Sequence, residues 1–241
     1  MKFSRNYLKV AIYTSKEFDP FFIREILFLI ASLYMVLSYL EDPFLNAGNF
    51  NPMYVESSIM DFFVIIFSSI SSGIFAKKIQ NGQLGMIFLS SIPRRGYIVL
   101  SLVNSSLWFC LLLITPILLT QYFIYNRILP ELCLLFLFMM LSSSVLYTSF
   151  GMLFGTITRS QSITTFSVLS IFLVLQLYGF ELFPKNALGE YLLMGFGQIS
   201  NFNNNIQTYL IGGSIYFILA IAFTLPIYRL SIKIGLKSGR S

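Results

Sequence analysis

Six stretches of this chain, at about 21–40, 58–76, 98–121, 131–154, 161–180 and 207–228, are apolar over close to the length of a membrane-crossing helix. At 1.5 Å per residue, about 20 residues carry a helix across the hydrocarbon. Composition agrees: 56% of the 241 residues are hydrophobic and 11% charged, against roughly 25% charged in a soluble domain. The expected fold class is an all-α polytopic membrane protein. Residues 1–20 form an amphipathic interfacial helix, and residues 21–241 form a domain of six transmembrane helices.

The basic residues fix an orientation. Of the 16 Lys and Arg, only Arg127 and Lys185 fall on one side of a six-span arrangement. The other side collects Lys2, Arg5, Lys9, Lys16 and Arg24 at the N-terminal end, then Lys77, Lys78, Arg94 and Arg95 after the second span. It also holds Arg159 after the fourth span, and Arg229, Lys233, Lys237 and Arg240 at the sixth. Under the positive-inside rule this side is cytoplasmic, so both termini lie inside the cell membrane. The net charge of +6 thus belongs to a membrane surface and to cytoplasmic partners, and no nucleic-acid partner is expected.

Several local signals place helix ends. Asp19-Pro20 and Pro130-Glu131 suit helix starts, because proline fits the first helical position and a carboxylate complements the positive end of the dipole. By the same logic Asp61 is expected in the first turn of the second span. On a helical wheel Lys2, Arg5, Lys9 and Lys16 share one face, opposite Phe3, Tyr7, Val10 and Phe18, the pattern of a helix lying in the headgroup plane.

Catalytic chemistry has little to build on. The chain has no histidine, and its two cysteines, Cys110 and Cys133, both fall inside apolar spans. No metal site is expected, and an intramembrane enzyme is disfavoured. No span carries a charge near its middle, which argues against a proton relay or a charged ion filter.

Between the second and third spans lies NGQLGMIFLSSIPRRGY, residues 81–97. As a helix over 83–92, Leu84, Ile87, Phe88 and Ile92 form one broad apolar side, with Gln83 and Ser90 on a narrow polar edge. Pro93 closes it, and Arg94-Arg95 follow. Physics leaves two readings open: the oily side packs in the interface, or it inserts into a partner protein. Within the spans, Ser68, Ser72, Asn104, Thr164, Ser167 and Gln176 are the polar candidates. They either let helices pack closely, with interhelical hydrogen bonds near 0.6 kcal/mol each, or line a path.

At this point the chain resembles the membrane subunit of an ABC transporter, the type-2 permease family of drug, lipid, polysaccharide and peptide exporters. Lys16-Glu17 looks like that family's basic-Glu motif, and Gly82, Leu84, Pro93 and Arg95 match its Gly-x-Leu…Pro-x-Arg pattern. Gly151-x3-Gly155-x3-Arg159 resembles its short turn between the fourth and fifth spans. The segment 181–206 resembles its outer re-entrant helices. The sequence departs from the pattern in having no acidic residue over 77–81, and Ser101 stands where lysine is common.

The resemblance implies that 77–97 is a coupling segment, with Lys16, Glu17, Gly82, Leu84, Ile87, Phe88, Pro93, Arg94 and Arg95 serving a soluble ABC ATPase. It implies a second permease copy or a close relative, with Ser68, Ser72, Asn104, Thr164, Ser167 and Gln176 at the dimer contact or along the path. ATP and Mg would be bound by the partner, since no Gly-Lys dipeptide of a phosphate loop occurs here. A non-transporting accessory or immunity protein is the alternative.

Overall fold

The computed structural model describes residues 52–89, 94–125, 130–182 and 206–238. The expected interfacial helix, the first span, Lys16, Glu17, Pro93 and nearly all of the outer segment 181–206 lie outside these residues. The described part is all-helical and has no strand. Its helices are α1 (Pro52–Gln80), α2 (Gln83–Leu89), α3 (Arg94–Tyr125), α4 (Pro130–Thr158), α5 (Gln161–Leu182) and α6 (Ile206–Ser238).

Three of them hold stretches long and apolar enough to cross a membrane: Phe63–Gln80 of α1, Cys133–Thr158 of α4 and Leu210–Ile232 of α6. The expected spans at 98–121 and 161–180 fall within α3 and α5, helices of 32 and 22 residues. Pro130 opens α4 as its sequence position suggests. The helix that holds the second span starts earlier than expected. α1 begins at Pro52, so Asp61 sits well beyond the first turn. It stands just before the apolar stretch that begins at Phe63.

α4 is the central helix, in contact with α1, α3, α5 and α6. Every residue from Ser142 to Ser149 is buried. A helix buried on all sides needs neighbours at close range, and small side chains allow that. A Cβ on Gly151 would stand 2.6 Å from the Ser72 Cβ and overlap its Oγ, so α1 and α4 are nearly in backbone contact there. The buried hydroxyls are mostly satisfied along their own helices. Ser142 Oγ donates to the Met139 carbonyl at 2.9 Å, and Ser149 Oγ to Leu146 at 2.8 Å. Ser144 instead donates across to Ser106 Oγ of α3 at 3.2 Å.

Two apolar clusters fill the bundle. One joins Phe63, Phe109, Met140, Tyr147, Phe172 and Tyr216, with the Tyr147 and Phe172 rings stacked at 4.1 Å. The other joins Phe75, Phe88, Tyr97, Leu102, Met152 and Ile227. It is this second cluster that positions α2.

Candidate functional site

The connection from α1 to α2 is a tight reversal. Asn81 N–H still bonds to the Lys77 carbonyl at 2.9 Å, and Gly82 N–H bonds to Ile79 at 3.1 Å. Gly82 takes φ 69°, the left-handed conformation in which glycine carries no Cβ penalty. The chain then turns straight into α2, described over Gln83–Leu89, and the rest of the expected helix to Ile92 lies outside the described residues.

The apolar side of α2 faces inward. Leu84 is 2% exposed and Phe88 5%, and Ile87 is buried with them. They pack with Phe75 and Ile79 of α1, Tyr97 and Leu102 of α3, and Ile227 of α6. The Phe88 ring meets Tyr97 edge-on at 6.3 Å. The chain's own core covers Leu84, Ile87 and Phe88. Gln83 of α2 is exposed, as are Gln80 and Asn81 just before it.

Cations and rings tie this segment down. Lys78 is only 8% exposed, and its Nζ donates to the Tyr97 hydroxyl at 3.1 Å. Arg94 Nε reaches the Phe88 carbonyl at 3.4 Å, covering a C-terminal carbonyl of α2, with its guanidinium 5.8 Å from the Phe88 ring. Arg95 lies 4.7 Å over the Tyr228 ring of α6. Arg94 and Arg95, expected together as ligands of a partner, thus divide: the first is half-buried inside the chain and the second is exposed.

The turn from α4 to α5 sits beside this segment. Only Arg159 and Ser160 connect the two helices, and Gly151 and Gly155, expected to belong to the turn, lie inside α4 against α1. Arg159 holds φ 54°, and its N–H bonds to the Gly155 carbonyl at 2.9 Å. Gln80 Oε1 accepts from the Gln161 N–H at 3.5 Å, linking the two turns. With the Lys78–Tyr97 and Arg95–Tyr228 contacts, this brings Lys77, Lys78, Arg94, Arg95, Arg159 and Arg229 to one end of the bundle.

The hydroxyl candidates are also redistributed. Ser68, Ser72 and Thr164 are fully buried within this chain. Ser72 Oγ donates to the Ser68 carbonyl at 2.6 Å, and Thr164 Oγ1 donates to Ser160 at 2.7 Å and pairs with Thr158 Oγ1 at 2.8 Å. Within the chain, small residues bring α1, α4 and α5 close together. Ser167 and Asn104 are half-buried, and Gln176 lies on α5. The Oγ of Ser68 and Ser101 and the Oγ1 of Thr148 are buried without a hydrogen-bond partner.

Sequence reasoning missed Lys78, Tyr97, Tyr228 and Gln80. Tyr97 and Tyr228 carried a signal, since each aromatic stands within two residues of an arginine at a span end, the place of an interfacial anchor. The burial of Lys78 beside an exposed Lys77 had none. In comparisons with known proteins, no family model, curated protein or solved structure matches the chain.

Proposed function

We propose that this chain is the transmembrane permease subunit of an ATP-driven ABC exporter in the cell membrane. Its cargo is hydrophobic or amphipathic, a lipid, peptide or drug, and ATP and Mg are held by a separate soluble ATPase. The observation that carries this reading is the seating of α2. A short helix stands at the basic end between two long ones, its Leu84, Ile87 and Phe88 locked onto α1, α3 and α6 while Gln83 is exposed. A push on that helix moves three long helices together, which is the mechanical requirement for coupling to an outside motor.

The contact with the ATPase falls to Gln80, Asn81 and Gln83, with Arg159 on the neighbouring turn. Phe88 holds the lever in place from behind. A second copy or a close relative completes the path. The α5 face that meets it carries exposed Ser162, Phe166 and Ser170, with Ser167 at its edge.

The test is purification of the tagged full-length chain from its native membrane in mild detergent. A soluble ATPase should accompany it, and its ATP turnover should change on reconstitution with the chain. A short thiol crosslinker at Gln83→Cys should capture that ATPase. A chain that purifies without an ATPase, or leaves its turnover unchanged, would refute the reading in favour of an accessory role.

A further inference from the structure

We infer that an anionic phospholipid lies along the exposed sides of α3 and α6, with its phosphate on Arg95 and Arg229. Independently of the exporter reading, the inference requires only that the chain sits in a bilayer. On α3, Arg95, Val99, Val103 and Leu107 follow at intervals of four residues, so they share one side of the helix, and all are exposed. On α6, Arg229, Leu225, Ile221 and Ile218 are likewise exposed on one side. Each stripe is apolar along its length and ends in an arginine at the basic end of the bundle.

The two helices touch, and Arg95 lies 4.7 Å over Tyr228, the residue next to Arg229. That contact holds the Arg95 guanidinium beside α6. Neither α3 nor α6 carries an Asp or Glu, so no carboxylate on these two helices can neutralise the arginines. The N-terminus of α3, at Arg94-Arg95, adds its positive dipole end at the same level. Exposed apolar side chains above and fixed cations below match acyl chains in hydrocarbon and a phosphate at headgroup depth.

The experiment is native mass spectrometry of the full-length chain released from nanodiscs of equal phosphatidylglycerol and phosphatidylcholine. The chain should retain phosphatidylglycerol over phosphatidylcholine. R95Q and R229Q should each lower its retention about five-fold, the effect of one cation near an anionic surface. K77Q, which removes an exposed cation of α1, should leave retention unchanged. Soluble glycerol phosphate at millimolar concentration should not displace the lipid, because the acyl chains share in the binding. Equal retention of the two lipids by the unsubstituted chain would overturn the inference. So would an equal loss in K77Q, or displacement by glycerol phosphate.

Discussion

Truncation of Phe88 to alanine tests directly whether α2 is core or docking surface. The side chain is 5% exposed, packed among residues of α1, α3 and α6, and set edge-on to Tyr97. Removing a buried phenylalanine costs about 3–5 kcal/mol, because the lost contacts are only partly recovered by relaxation around the cavity. At about 2–4 °C per kcal/mol for a domain of this size, the midpoint of thermal unfolding should fall by roughly 6–20 °C. The chain supplies its own probe. Cys110 and Cys133 form no disulfide and are buried, so a thiol-reactive fluorophore reports on their exposure as detergent-solubilised protein unfolds. Gln83→Ala, on the exposed edge of the same helix, should stay within about 0.5 kcal/mol of the parent and shift the midpoint little. Equal midpoints for the two variants would refute the inward seating of α2, and the apolar side would then belong to a partner or a membrane surface.

Other consequences are equally specific. Gly151→Ala places a Cβ against Ser72 and should destabilise the fold by about 1–3 kcal/mol, whereas adding Ser72→Gly should restore most of the loss in the same assay. Arg159→Gly removes the strain of a left-handed non-glycine residue at φ 54°. It should raise the unfolding midpoint, or leave it unchanged to the extent that glycine also loosens the unfolded chain by up to about 1 kcal/mol; a marked fall would mean that the Arg159 side chain holds the turn. In cells, Asn81→Cys on a Cys110→Ala, Cys133→Ala background should escape an impermeant thiol reagent until the membrane is opened. Labelling in intact cells would reverse the cytoplasmic orientation derived from the charge split.

Much of the architecture was legible because membrane crossing is a one-dimensional requirement. Length and hydropathy are local properties, so the helices at α1, α3, α4, α5 and α6 could be located, although α1 starts six residues before and α6 runs ten residues beyond the expected apolar stretch. The Pro130 start could be read from proline geometry. The clustering of Lys77, Arg94, Arg95, Arg159 and Arg229 at one end follows from the alternation of long helices that the same pattern implies.

Which way a side chain faces was a different matter. In a soluble protein the apolar stripe of a helix marks its buried side, but lipid is as apolar as a protein core, so an oily residue in a membrane chain can face either. Phe88 and Phe166 look alike in sequence, yet one is 5% exposed and the other 69%. The same holds for the small residues. Ser72, Gly151 and Thr164 advertise close packing without naming the neighbour, and only the assembled bundle assigns them to contacts within one chain. Adjacent Lys77 and Lys78 part company for a similar reason. Successive residues on a helix point about 100° apart, and where α3 stands decides that Lys78 meets the Tyr97 hydroxyl while Lys77 stays exposed. Sequence determined where the chain can cross and which end is basic; tertiary packing alone decided which faces meet, because contact depends on residues far apart in the chain.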